Sequence, residues 1–253
     1  MTGRGGSEAE KASQPLGWRS YAVAAVCLAI LLALGTWQVE RLQWKEGLLA
    51  TIETRRTSEP LSLPEVEARF AETADVDYQP VRVAGAFLHD REQHFLATWK
   101  GGAGFYVYTP LELADGHVAL VNRGFVPYDR KEAATRTEGQ VAGEVTVTGL
   151  ARNPLSGKPS SLVPDNEPAK NVFYWKDLTA MAANAGLDPT KVVPFFIDAD
   201  ATPNPGGLPE GGVTMFDLPN NHLQYAVTWY GLAGALVAVF GVLAWRRRAA
   251  ARP

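Results

Sequence analysis

Two stretches of the chain run uncharged for the thickness of a bilayer, and the strand-like alternation lies between them. The first is Ser20–Val39, twenty residues reading SYAVAAVCLAILLALGTWQV between Arg19 and Glu40. As a helix it would extend about 30 Å, enough for a hydrocarbon core. The second uncharged run lies between Asp217 and Arg246, with its most apolar part at Leu223–Trp245. Trp18, Trp37, Trp229 and Trp245 stand at or near the ends, where indole rings favour the headgroup region. The pattern predicts transmembrane helices at 20–39 and 218–245. The first run is long for a secretory signal, and no clean A-x-A cleavage site follows it.

Residues 46–77 read as a helical and loop lead-in, with Pro60 and Pro64 breaking any long helix. From Tyr78 the period shortens to two. Strands are expected at Val81–Phe87 (with Gly85 as a bulge), His94–Trp99, Phe105–Leu113, Val118–Val126 and Glu144–Leu150. Gly101–Gly104 and Asp115–Gly116 are hairpin turn signals. Phe173–Trp175 is a further strand candidate. Asp177 is placed to cap a short helix ending near Gly186, and Val192–Ile197 reads as a last strand. Residues 201–212 look like a Pro/Gly-rich linker back to the membrane. Successive antiparallel neighbours are the simplest topology. The fold class expected is therefore a membrane protein, with two transmembrane α-helices flanking a mainly antiparallel β (α+β) extramembrane domain.

Charge sets the orientation. Arg246, Arg247, Arg248 and Arg252 follow the second span, while the nearest upstream basic residue is Lys191. Positive flanks stay in the cytoplasm, and two spans put both termini on one side. Arg4, Lys11 and Arg19 precede the first span, but Arg41 and Lys45 follow it, so that span alone decides nothing. The layout expected is a cytoplasmic segment 1–19, helix 20–39, a β-rich domain 40–217, helix 218–245 and a basic cytoplasmic tail 246–253. The central domain would face the periplasm of a bacterial inner membrane, or the intermembrane space of a mitochondrion. Residues 41–217 carry 17 basic and 24 acidic residues. That net negative charge excludes the basic field a nucleic-acid binder needs. One cysteine, Cys27 in the first span, excludes a disulfide framework and a multi-cysteine metal site, and reads as a small packing residue.

Catalytic signatures are missing: there is no G-x-S-x-G, H-E-x-x-H, Walker loop or C-x-x-C. His89 and His94 are five apart, an odd spacing that on a strand sends them to opposite faces and argues against a shared metal. Ala25, Ala29 and Ala33 in the first span, and Gly234 with Ala238 and Gly231 with Ala235 in the second, recur every four residues. That spacing permits close helix packing, with each other or with a partner's helices.

The residues that draw attention gather where the spans meet the outer surface. The first span emerges through WQVERLQWK (37–45) and the second enters through NNHLQYAVTW (220–229). His222 is the only histidine near a span. Helical spacing sets it on one stripe with Tyr225, Ala226 and Trp229. A neutral imidazole there can ligate haem iron, Arg41 and Lys45 can meet propionates, and the rings of Trp37, Tyr225 and Trp229 can wall a flat apolar macrocycle. The same residues also fit the role of ordinary interfacial anchors.

The motifs resemble those of the surfeit-locus cytochrome c oxidase assembly proteins. LGTWQVERLQWK (34–45), VRVAGAF (81–87), GFYVYTPLEL (104–113), VNRGFVP (121–127) and NNHLQYAVTWYGLA (220–233) occur in the family's order around a two-span layout. The resemblance implies a non-catalytic inner-membrane factor of respiratory chain biogenesis. It would bind haem a transiently, as a chaperone, and aid its insertion into subunit I of cytochrome c oxidase. It implies His222 as the axial ligand to the iron, and partners that include subunit I, haem a synthase and the lipid bilayer. A second reading keeps the family but not the haem: a scaffold that holds subunit I during assembly. A membrane-tethered hydrolase is the third, and no nucleophile–base pattern supports it.

Overall fold

The computed structural model describes residues 17–216 and 219–250. Arg4 and Lys11 of the N-terminal segment, Asp217 and Leu218 at the second boundary, and Arg252 of the tail lie outside the described residues. The chain forms two units. One holds the two long helices and the other, Thr51–Phe216, holds the sheet.

Helix α1 runs over Trp18–Arg56, well past the apolar stretch and through the charged lead-in, because no breaker occurs before Pro60. The long partner helix, which becomes α4 in chain order, spans His222–Ala250. The two lie antiparallel: the Tyr21 ring meets Phe240 at 6.3 Å, Thr36 Oγ1 bonds Tyr230 Oη at 3.1 Å, and Gln38 meets His222. Along the seam the less exposed positions fall three and four apart, as Ala24, Leu28, Leu31, Gly35 and Gln38 on one helix and His222, Ala226, Trp229, Ala233, Leu236 and Phe240 on the other. This is the spacing that keeps one helical face toward a neighbour. At Gly35 a β-carbon would sit 2.8 Å from the Tyr230 ring, so only glycine admits that contact. Within the two uncharged runs the outward positions are exposed and largely apolar, including Val23, Val26, Ile30, Val227, Val237 and Val239, as befits a surface facing lipid.

Packing of the two helices on each other through their small-residue stripes is corrected here. Ala25, Ala29 and Ala33, and likewise Gly231, Gly234, Ala235 and Ala238, are exposed rather than at the seam. A strict four-residue spacing drifts around a 3.6-residue helix, whereas alternating threes and fours do not. Cys27 is also exposed and packs nothing within the pair.

In the second unit, β1 (Leu61–Ser62) is followed by α2 (Leu63–Thr73), then β2 (Pro80–Phe87), β3 (Gln93–Trp99), β4 (Gly102–Leu113), β5 (Val118–Pro127), β6 (Glu144–Arg152), α3 (Leu178–Asn184) and β7 (Val192–Ala199). Pro64 falls in the first turn of α2, where its missing N–H costs nothing, and Ser62 N donates to Glu65 across the cap. Asp177 caps α3 by accepting from Ala180 N at 2.9 Å.

The simple antiparallel order does not hold. The sheet runs β1-β2-β6-β7-β5-β4-β3, and a further pairing joins β2 to β4. That pairing, Gly85–Phe87 against Leu111–Leu113, closes β2, β6, β7, β5 and β4 into a five-stranded barrel, with β3 extending it from β4. β5 and β7 run parallel, so the barrel is antiparallel in all but one of its pairings. Gly85 is not a bulge. A β-carbon there would come within 2.3 Å of the Glu112 carbonyl, so the glycine is what lets the closing strands approach. Phe173 makes only an isolated bridge to Phe95 instead of starting a strand. The 201–212 segment is no free linker. Glu210 and Phe125 exchange two backbone hydrogen bonds of 2.8 Å, and Val213 just beyond is buried.

The barrel interior is Val81, Val83, Leu111, Val121, Val147 and Ile197, capped by Val66 of α2. A second apolar layer, Tyr108, Leu120, Phe173, Met181 and Phe196, lies under α3. β5 is buried on both faces between them, which is why its sequence, VALVNRGFVP, hardly alternates.

Candidate functional site

Buried polar groups occur in both units, and in each, one cluster contains histidine. In the helix pair, Gln38 is only 9% exposed, and its Oε1 accepts a hydrogen bond from His222 Nδ1 at 2.7 Å. An amide oxygen cannot donate, so the imidazole proton sits on Nδ1 and the Nε2 lone pair points elsewhere. Nε2 has no protein partner among the described residues. His222 is half-buried at the first turn of α4. Just before it, Asn220 keeps a buried Oδ1 with no partner among the described residues.

The remaining anticipated residues are distributed around this pair. Trp229 is half-buried on the same seam as His222 and Ala226. Tyr225 is exposed, off the seam. On α1, Trp37 is exposed and the Arg41 guanidinium lies 4.4 Å from the centre of the Trp44 ring. Lys45 donates to the Pro219 carbonyl, tying the chain just before α4 to α1. With Gln38 and Ala226 turned inward, helical phase sends Trp37 and Arg41 of α1 and Tyr225 and Trp229 of α4 to one flank of the antiparallel pair. Thr36 and Tyr230 bond on the opposite flank. Lys45 is thus engaged with backbone, while Arg41 presents its charge beside an aromatic ring.

Gln38 was not singled out in the sequence, although a signal existed. A carboxamide inside an uncharged, membrane-length run needs a partner, because hydrocarbon supplies none.

The second cluster is inside the barrel unit and is closed. Glu92 follows a 3-10 turn at His89–Arg91. Its carboxylate is gripped at both oxygens by Arg136, one contact being 3.2 Å. Arg123 lies 3.8 Å away and donates to the Gly139 carbonyl and to Asn204 Oδ1. His89 Nε2 donates to the Val141 carbonyl, which turns its Nδ1 toward Glu92 at 3.8 Å. His94 Nε2 is 4.0 Å from the same carboxylate, and neither of its ring nitrogens has a hydrogen-bond partner among the described residues. Burial pushes the Glu92 carboxyl up, but contacts from His89 and Arg136 outweigh it and hold the group at about 2. Burial pushes His94 down to about 4. The strand argument that separated His89 from His94 therefore fails. His89 lies in a 3-10 turn, not on β3, and both rings face one carboxylate. With Arg136 already holding Glu92, no three His, Cys, Asp or Glu side chains among the described residues are placed to share a metal ion.

An imidazole oriented through one nitrogen and open at the other is the usual state of a metal-ligating histidine. An aromatic and cationic flank beside it suits a flat anionic macrocycle. The donor set of the helix pair fits haem, and the barrel cluster does not.

The SURF1 family model matches residues 25–234, taking in most of α1, the whole barrel unit and the first part of α4. Surfeit locus protein 1 of Rattus norvegicus is 40% identical over 225 residues, covering 82% of this chain and 70% of the relative. The Homo sapiens protein of that name is 40% identical over 219 residues, covering 80% and 70%. A SURF1-like protein of Monosiga brevicollis is 40% identical over 225 residues, covering 83% and 82%. With a family match that runs from α1 through the barrel into α4, and relatives similar over most of their own length, this chain belongs to the SURF1 family.

Proposed function

We propose that this protein, whose family serves cytochrome c oxidase assembly, does so by holding haem a at His222 and passing it on to subunit I. The reading places the helix pair in the inner membrane and the barrel on its outer side, with both termini in the cytoplasm, in keeping with the arginines after α4. One observation carries it: His222 is fixed through Nδ1 by Gln38, and its Nε2 has no protein partner among the described residues. Bound haem would offer its iron to that nitrogen. Trp37, Tyr225 and Trp229 offer apolar ring surface on the same flank, and Arg41 offers a cation for a propionate. A single protein ligand suits a carrier, because tight ligation on both faces would oppose release. The acidic barrel unit and the lipid-exposed helices are the surfaces available to subunit I and to haem a synthase.

The test is an absorption spectrum of the full chain, purified in detergent from hosts with and without haem a synthesis. A haem a spectrum is expected only with synthesis, and only in the wild type. Retention of full haem content by His222→Ala would overturn the ligand assignment and favour a scaffold that acts without haem.

A further inference from the structure

We infer that Gln38 sets the strength of His222 as a ligand, and that a neutral amide at this position makes the grip releasable. The inference rests on the reading of His222 as the haem ligand. It goes beyond it by assigning a positioning role to a residue on the other helix, one that would not touch the haem itself.

The geometry defines the role. Gln38 Oε1 is the acceptor for His222 Nδ1, 2.7 Å away across 184 residues of chain. At 9% exposure the amide has little access to water, so its acceptor is committed to the imidazole. The helices are held in the register that makes this contact by two independent fastenings. On one side of the pair Tyr230 packs into the gap left by Gly35 and bonds Thr36. Beyond His222 toward the chain entry, Lys45 holds the Pro219 carbonyl. The imidazole is therefore fixed in tautomer and in rotation before any ligand arrives.

The identity of the acceptor matters as much as its position. A carboxylate facing Nδ1–H draws the proton toward itself and makes Nε2 a stronger donor, as in sites that retain their metal. An amide oxygen carries only a partial charge and polarises the ring less. The chain has Glu40 two residues on, but helical phase turns that carboxylate away and it is exposed, so the amide alone faces the histidine. This gives an oriented ligand of modest basicity, as a carrier requires.

The experiment uses the full chain in detergent, titrated with ferric haem b as probe. Dissociation is followed by transfer to apomyoglobin, and the midpoint potential is read at alkaline pH. Gln38→Leu is expected to weaken binding about 10- to 100-fold. Gln38→Glu is expected to slow haem release at least several-fold and to lower the midpoint potential. A side chain that merely packs the helices would also weaken binding in Gln38→Leu. It would leave release rate and potential unchanged in Gln38→Glu, and that result overturns the inference. Should Gln38→Leu not fold, the Gln38→Glu pair of readouts decides alone. Should His222→Ala bind the probe as wild type does, the underlying ligand reading fails instead, whatever Gln38 does.

Discussion

The helix pair and the barrel both bury polar groups, but they finish the job differently. In the barrel, Glu92 is surrounded by Arg136, Arg123, Thr109 and two histidines, and its charge is met from several sides. In the helix pair, a single contact joins Gln38 to His222 and stops there, leaving one ring nitrogen unused. A closed cluster stabilises a fold and has nothing to offer a ligand. An open one contributes little stability and keeps a coordination site. The contrast teaches that the number of buried charges is a poor guide to function: His94 also keeps its ring nitrogens unpartnered, but in a buried ring beside Glu92, whereas the open nitrogen of His222 belongs to a half-buried one.

The largest effect should come from breaking the closed cluster. Arg136→Met leaves Glu92 buried beside fewer cations and should destabilise the barrel by about 3–5 kcal/mol. Chemical unfolding of the purified protein, followed by near-UV circular dichroism, measures it. Replacing Glu92 by Leu in the same chain should recover only part of the loss, since the pair is then apolar but the buried Arg123 loses its counter-charge.

Acid should act on the same cluster, with a sign set by both shifts. His94 binds its proton at about 4 in the folded protein, against an ordinary value of 6.5. Between those values the unfolded chain holds more protons, so stability falls as pH drops below 6.5 and levels off below 4. Glu92 is held at about 2 against an ordinary 4.5, so its contribution is present above 4.5 and is lost as pH falls toward 2. Together they predict a barrel that weakens progressively below pH 6.5. His94 alone accounts for up to roughly 3 kcal/mol. A His94→Leu variant should lose the upper part of this dependence and keep the lower. Unfolding free energies that stay flat between pH 6.5 and 4 would contradict the assignment.

The smallest of the three effects concerns the helix pair. Gly35→Val places methyl groups where the Tyr230 ring lies, and overpacking of this kind costs about 1–3 kcal/mol. It should lower the midpoint of helix-pair unfolding in mixed micelles while leaving the barrel's unfolding unchanged. A parallel loss in the barrel would show that the two units do not melt independently.

Much of this architecture was legible along the chain. The uncharged runs marked both long helices, apolar or alternating runs between turn signals marked β2 to β7 within a few residues, and Asp177 marked the start of α3. Legibility failed wherever an element's role depended on a distant neighbour. β5 and β7 became parallel partners, the 201–212 segment paired with β5, and the small-residue stripes faced away from the seam. At the candidate site His222 stood out as a lone histidine near a span, but Gln38 did not, since only the register of two helices makes it a partner.

The division has a physical cause. Helical and strand periods, the uncharged lengths that match a bilayer, and the motifs that place the chain in its family are properties of short segments, so the sequence by itself determined them. Barrel closure at Gly85, the convergence of His89 and His94 on Glu92, and the bond from His222 to Gln38 join residues through space. No local period encodes which strands or helices will lie side by side, because that choice follows from how all the apolar faces are buried together. The histidine was written in the sequence; which of its nitrogens stays open was decided only by the tertiary structure.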